Sequence, residues 1–552
     1  MNDIIIEHSK FAYEDIKGIE SVFINNYPVV YILYNKSENK TRPKAYIGQT
    51  VHAHRRMKQH LEDKKRKQLT DTLLIGHAHF NQSATYNIET NLINYFIADE
   101  QFSLQNISQT TQTQMHNYYQ KEYYNEELFE NLWEALRVNG IAKSSTDVLK
   151  NKDIYKLSPF KELSQEQLEL KQEILDFCRK NLSTKDHQVF VIHGEAGTGK
   201  SVVLSSLFNT IQELSKDKSS ILYKTDNYLL VNHGEMIKTY QNIANSLPHL
   251  AKNRFEKPTT FVNKYTEKQA DIVLVDEAHL LLSNKDAFNN FNYQNHLEEI
   301  IKRSKITIVI FDDKQVLRMK NHWDRDRLSE MLDGYQSHEY NLTNQFRMLA
   351  SPEIIHWIDS FVQKQVLHLP ANTENFDLRI MKSANELKEY IREANIMMGL
   401  SRIVSTFDYL HKKDGSTYYV DEEGLNMPWN TTDSSITWAE RPETIDEVGS
   451  IYTVQGFDLN FVGVVLGPSV DYDEEKKELV IAVEKYKDTG AFSGGNRFSD
   501  INERNNHKEH IILNSINVLM KRGVYGLAIY AVNEKLRNKL LKLQEERDEL
   551  NE

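Results

Sequence analysis

Eight consecutive residues, Gly194-Glu195-Ala196-Gly197-Thr198-Gly199-Lys200-Ser201, carry the most specific chemistry in this chain. Glycines in such a loop let backbone N–H groups turn towards phosphate oxygens with no Cβ in the way. Lys200 would then reach the β and γ phosphates of ATP, and Ser201 would hold Mg²⁺. Further on, the apolar run Ile272-Val273-Leu274-Val275 delivers two adjacent carboxylates, Asp276 and Glu277. Asp276 would position Mg²⁺, directly or through water, and Glu277 would orient or deprotonate the attacking water. An Asp-Glu pair alone also suits a helix start, where negative charge favours the macrodipole. Behind an apolar strand and downstream of a phosphate loop, it points to hydrolysis. A second constellation lies near the N-terminus. Tyr31 and Tyr46-Ile47-Gly48 are followed by Arg56, by His60 one helical turn later on the same face, and by Glu89.

These residues need elements to hold them. Val189–Ile192 reads as the strand before the phosphate loop, and Val202–Ser205 opens the helix after it. Ile221–Tyr223, Ile272–Val275 and Ile306–Phe311 are further short β-branched or apolar runs between helical stretches. A second set follows at Leu378–Met381, Arg402–Ser405, Val462–Leu466 and Leu527–Ala531. Such runs fit strands buried on both faces of a parallel sheet, so two sets predict two lobes with a cleft between them. The first 110 residues read strand, strand, helix, helix: Val29–Tyr34, Lys44–Ile47, a basic helix from Ala53, and a helix from Tyr86 to Ala98. The polar and aromatic residues 111–160 read as a helical connector that packs on a neighbour.

Bulk composition narrows the class. A chain of 552 residues, 40% hydrophobic and 26% charged, predicts about three ordinary globular domains. No apolar run approaches the roughly 20 residues of a membrane helix, and the start MNDIIIEHSK lacks a secretory signal. The single cysteine, Cys178, excludes an internal disulfide framework and a cysteine-built zinc site. A reduced, cytoplasmic protein is expected, with no membrane partner. The net charge of −12 runs against phosphate binding, but Arg42–Lys67 holds nine basic and two acidic residues. Basic clusters on an acidic chain suit selective contact with a strand, although such a run is also what a solvated helix face looks like.

Further motifs in order give a resemblance. Residues from about 160 to 545 resemble a superfamily 1 helicase motor of the Schlafen type. Phe160–Gln167 resembles its adenine-reading segment, with Gln167 as the amide. Asp312-Asp313-Lys314-Gln315 resembles its coupling motif, with Gln315 as γ-phosphate sensor. Asn344-Gln345-Phe346-Arg347 resembles the motif that carries a phosphate-contacting arginine, here Arg347. Tyr452–Asp458, with Gly456, resembles the second-lobe motif joining strand to nucleotide, and Leu519–Gly523 the final motif, with Arg522 reaching across the cleft. A cation that arrives only on lobe closure would couple hydrolysis to movement. Phe311 and Asp458 depart from the residues many such motors carry. Met427-Pro428-Trp429-Asn430 and Trp438 also match, with indoles that serve equally well as core anchors or base-stacking platforms. Short intervals between motifs favour strand translocation over processive unwinding.

Val29-Val30-Tyr31 and Tyr46-Ile47-Gly48 resemble the paired signature of GIY-YIG nucleases, with Val29 in place of a glycine. Asn106 resembles the polar residue near the end of that domain. The resemblance implies phosphodiester hydrolysis with Mg²⁺ or Mn²⁺ held by Glu89, and Arg56 neutralising developing charge. Tyr46 or Tyr31 would orient or deprotonate water, and His60 would support that network.

The expected fold is therefore α/β: a small α+β nuclease domain (1–110), a helical connector (111–160) and two RecA-like parallel-sheet lobes (161–365 and 366–552). The expected function is an ATP-dependent nuclease-translocase on single- or double-stranded DNA, in defence against phage. A repair or recombination enzyme and an ATP-dependent binding switch with an inactive nuclease are the alternatives. RNA stays open as a substrate. A cutter with one active site must act twice, or pair with a second copy, to break a duplex.

Overall fold

A computed structural model describes residues 4–36, 42–106, 118–194, 197–286, 290–312, 315, 317–319, 325–342, 348–412, 414–431, 438–454, 457–493 and 500–551. Among these, no helix is long and apolar enough to cross a membrane.

The N-terminal unit is built on five strands in the order Ile5–Lys10, Asp71–Gly76, Val29–Tyr34, Lys44–Thr50, Ser103–Leu104. The pairs are antiparallel except the last. Val29–Tyr34 reads VVYILY, without polar alternation, because both sheet faces are covered. Val30 and Ile32 pack with Ile88, Leu92 and Phe96 of the helix Gln82–Asp99. Val29, Tyr31 and Leu33 pack with Ala53 and Met57 of the helix Ala53–Glu62. Asn81 starts the longer helix by accepting from Ala84 N at 2.9 Å. Three strands, Ile5–Lys10, Asp71–Gly76 and Ser103–Leu104, lie outside the strand–strand–helix–helix reading.

The connector touches every other part. In the helix Glu127–Val138, Phe129 and Trp133 pack tilted against Tyr95, at 4.8 and 5.2 Å between ring centroids. Asp99 at the end of the helix Gln82–Asp99 accepts from the backbone N–H groups of Lys143 and Ser144, at 2.9 and 2.8 Å. Ser205, on the helix after the phosphate loop, donates to the Leu157 carbonyl at 2.7 Å. Lys156 donates to the Asp458 carbonyl at 3.1 Å, and the Asp153 N–H to Glu440 Oε1 at 2.8 Å.

The first lobe is a six-stranded sheet in the order Gln336–Leu342, Gln188–Gly194, Ser304–Phe311, Ala270–Asp276, Asn227–Val231, Phe255–Glu256, parallel throughout. Ile221–Tyr223 is not one of its strands. Leu222 is buried but Ile221 is 66% exposed in a turn, and the buried strand is the next run, Asn227–Val231. The second lobe is a five-stranded parallel sheet in the order Asp377–Ile380, Gly523–Ala531, Leu459–Leu466, Arg402–Ser405, Val448–Gly449. Trp429 and Trp438 are buried in its core, which settles both indoles as core anchors.

Candidate active sites

Strand register assembles the first site. Tyr31 faces Gly48 across an antiparallel pair, and Tyr46 lies two residues along the same strand. The helix Ala53–Glu62 brings Arg56 and His60 to these tyrosines. Tyr31 Oη lies 2.7 Å from His60 Nε2, and Arg56 Nε donates to the same oxygen at 3.4 Å. The Tyr46 ring sits 6.2 Å from Tyr31 and 5.2 Å, edge-on, from His60. Gly48 makes room for this: an added Cβ would stand 2.3 Å from Tyr31 Oη. Gly48→Ala is therefore expected to push Tyr31 out of place, costing roughly 1–3 kcal/mol of stability. A lower midpoint in thermal unfolding would show it; an unchanged one would mean the ring moves freely.

Burial decides the protonation states. It drives His60 down to about 3, helped by the charges of Arg66 and Arg56, so a neutral imidazole meets the Tyr31 hydroxyl. Burial lifts both tyrosines above their ordinary range; Arg66 and Arg56 oppose this at Tyr46, while Glu89 adds to it. Glu89 is 5% exposed, and burial raises its carboxyl to about 8 against the pull of Arg56. A buried hard-oxygen donor without full charge compensation fits a divalent cation whose other ligands are water and phosphate oxygens. Asn106 closes the edge, accepting from Ile47 N at 3.0 Å and donating to Ile47 O at 2.8 Å.

The second site sits at the end of the parallel strands. Gly197 and Gly199 take φ of +91° and +74°, a region that favours glycine, and Gly199 caps the helix Lys200–Leu214. Gly194 ends the strand, and a Cβ there would meet Thr198 Oγ1 at 3.0 Å. Lys200 is buried and donates to Gly194 O at 2.6 Å and to Asp312 Oδ2 at 3.1 Å. Gln315 donates to the same carboxylate oxygen at 2.6 Å. Burial would raise Asp312, but Lys200, His279 and Gln315 outweigh it and hold the carboxyl below its usual range. Ser201 Oγ donates to Asp276 Oδ1 at 3.3 Å, an oxygen pair suited to Mg²⁺. Burial and the neighbouring Glu277 raise Asp276, against hydrogen bonds from Tyr240 and Ser201. Glu277 holds a left-handed backbone, φ 51°, and its Oε2 lies 3.1 Å from His279 Nε2. Such strain in a non-glycine residue persists where the surroundings impose it.

Two placements redirect expectations. Gln167 uses both ends of its amide within the protein, accepting from Ser164 N at 3.0 Å and donating to Thr198 O at 3.1 Å. In this arrangement it braces the phosphate loop. Tyr240, which no motif indicated, donates to Asp276 Oδ2 at 2.8 Å. Arg522 is fully buried, donates to Phe457 O at 3.0 Å, and its charge is felt at His279 and His233. The lobes also meet where Arg318 lies 4.7 Å above the Tyr452 ring and Met319 N donates to Ala491 O at 2.8 Å. Glu195, Ala196, Arg347 and Gly456 lie outside the described residues.

A family model described as Schlafen group 3, DNA/RNA helicase domain, matches residues 187–533, and one described as GIY-YIG catalytic domain matches residues 27–98. The uncharacterized protein YPL245W of Saccharomyces cerevisiae is 40% identical over 414 residues, covering 69% of this chain and 90% of its own. The crystal structure of Pif1 helicase from Candida albicans matches at 12% identity over 69% of this chain and 99% of that one, with a TM-score of 0.27. The DUF1998 helicase MrfA, bound to DNA and AMPPNP, matches at 10% identity over 75% of this chain and 52% of that one, with a TM-score of 0.28.

Proposed function

The chain belongs to the Schlafen group 3 helicase-domain family, with a GIY-YIG domain ahead of the motor, and on that premise we propose that it is an ATP-driven nuclease that moves along DNA and cuts it. The observation that carries this reading is the buried carboxyl of Glu89 within electrostatic reach of Arg56, Tyr31 and Tyr46, on a chain that also holds the Lys200 site. Glu89 would hold a divalent cation, which when bound would supply charge neutralisation at the scissile phosphate. Arg56 then stabilises negative charge on the phosphoryl oxygens, and Tyr46, less buried than Tyr31, orients the attacking water. Tyr31 and His60 hold one another in place behind it.

In the motor, Lys200, which meets Asp312 without nucleotide, would turn to the phosphates of ATP, and Ser201 and Asp276 would hold Mg²⁺. Glu277 orients the water, and Arg347 and Arg522 stabilise the γ-phosphoryl charge. The biological setting we favour is destruction of phage DNA in the cytoplasm. A second reading, repair or recombination of host DNA, is favoured by the relative in yeast, an organism outside the host range of phage.

The decisive test compares wild type, Lys200→Ala and Glu89→Ala on linear, circular and single-stranded DNA and on RNA, with and without ATP. Metal-dependent cleavage that disappears in Glu89→Ala is the expected result. Unchanged cleavage in Glu89→Ala would remove the nuclease assignment, and no cleavage by wild type on any substrate would leave a binding switch. Loss of phage restriction in either variant separates defence from repair, for which sensitivity to DNA damage on deletion is the mark.

A further inference from the structure

The basic run after the helix Ala53–Glu62 does not continue as a solvated helix face. Asp63 ends that helix, and its Oδ1 accepts from the backbone N–H groups of Lys65 and Arg66, at 2.9 and 3.0 Å. The chain folds back into the short turn Arg66–Gln68, and Leu69 is buried in the same core as Tyr31 and Tyr46. Pinned on both sides, Arg66 behaves unlike its neighbours. Lys64, Lys65 and Lys67 are exposed, whereas the Arg66 side chain is 25% exposed. Its guanidinium carbon lies 4.0 Å from the centre of the Tyr46 ring, the geometry of a cation held by the face of an aromatic ring. Asp63 Oδ2 lies 3.7 Å from Arg66 Nη1 and completes the support.

Tyr46 is thereby held from two sides, with His60 against the ring edge and Arg66 on the face. We propose that Arg66 is a positioning residue of the nuclease site, which clamps the Tyr46 ring so that its hydroxyl stays fixed beside Arg56. The inference rests on the nuclease reading above and adds a residue to it. A planar guanidinium fits this role better than an ammonium, because it can lie flat on the ring while keeping an N–H for Asp63. A clamp acts on turnover: it fixes a group that works on the water and leaves the rest of the DNA contact alone. An arginine used only to attract phosphate would act on DNA affinity.

The test measures cleavage of a short duplex by the full chain with saturating Mg²⁺ or Mn²⁺, in wild type, Arg66→Gln, Arg66→Lys, Tyr46→Phe and the double variant Arg66→Gln/Tyr46→Phe, with Glu89→Ala as control. Arg66→Gln should lower kcat by on the order of 10-fold with KM within about twofold, and Arg66→Lys should recover part of the loss. The double variant should cleave no more slowly than Tyr46→Phe alone, since both changes disable one unit. Wild-type kcat in Arg66→Gln, a change in KM alone, or additive losses in the double variant would overturn the inference while the nuclease stands. Should Arg66→Gln not fold, an intermediate kcat in Arg66→Lys supports the clamp and a change confined to KM overturns it. Undiminished cleavage by Glu89→Ala would take down the nuclease reading and the clamp with it.

Discussion

Lys200→Ala is expected to lower ATP turnover by on the order of 10³-fold and, unusually for a catalytic substitution, to lower thermal stability as well. The first effect follows from position: Lys200 opens the helix behind the phosphate loop and is the one cation that the loop sequence itself provides. The second follows from what Lys200 does without nucleotide. Its ammonium sits 3.1 Å from Asp312, and the two side chains are 6% and 1% exposed. Removing one member of such a buried pair strands the other charge, at a cost of roughly 3–5 kcal/mol. Gln315 still donates to Asp312 in the variant, so the lower end of that range is the better expectation. Lys200→Ala/Asp312→Asn separates the two effects. It should recover the unfolding midpoint, because the neutral amide oxygen can still accept from Gln315, and it should recover no ATPase. A Lys200→Ala protein as stable as wild type would show that the Lys200–Asp312 contact contributes nothing to the nucleotide-free fold.

The motor was legible because its chemistry is written in contiguous residues. Phosphate binding needs glycines, a lysine and a hydroxyl within one loop, and parallel strands buried on both faces leave apolar runs such as Ile306–Phe311. The same criterion fails where burial and apolarity separate. Gln336–Leu342, sequence QSHEYNL, is a strand at the sheet edge, so most of its side chains are exposed and polar. Ile221–Tyr223 has the composition of a strand but sits in a turn closed by Lys224, with φ 64°. Tyr240 could not have been found, since an ordinary tyrosine on a helix acquires meaning only from the Asp276 carboxylate beside it.

In the nuclease unit the spacing of Arg56 and His60 carried real information, because a helical turn does bring both to Tyr31. Val29, which breaks the glycine of the first triplet, is fully buried beside Ile16, Ile24 and Leu33, so its side chain fills core. What no local pattern could convey is the wiring between units. Lys156 meets a carbonyl 302 positions away, at Asp458, just before the strand Leu459–Leu466 of the second lobe. On its other side the connector meets the helix that carries Glu89, where Lys152 donates to Ala98 O at 3.1 Å. Two hydrogen bonds and the connector backbone between them thus join the second lobe to the helix that carries Glu89, a link that depends on tertiary contacts.

Glu89→Gln is expected to abolish cleavage and, without divalent cations, to stabilise the protein at alkaline pH. The folded carboxyl titrates at about 8, whereas an ordinary glutamate titrates near 4.5. Between those values the unfolded chain has released a proton that the folded chain retains, so stability falls as pH rises through this window and levels off above it. At about 1.4 kcal/mol per pH unit, the full penalty is on the order of 5 kcal/mol. Glutamine carries no proton to lose, so the metal-free variant should show a flatter unfolding midpoint from pH 5 to 8.5 and should exceed wild type at the upper end. Mg²⁺ or Mn²⁺ should raise wild type at pH 8 by more than it raises Glu89→Gln, whose remaining response is that of the Ser201–Asp276 site. Thermal melts in chelator and in metal, at several pH values, read all of this without any nuclease assay. Parallel pH profiles for the two proteins in chelator would mean that Glu89 is ionised and compensated within the fold, and the single-carboxylate cation site would lose its physical basis.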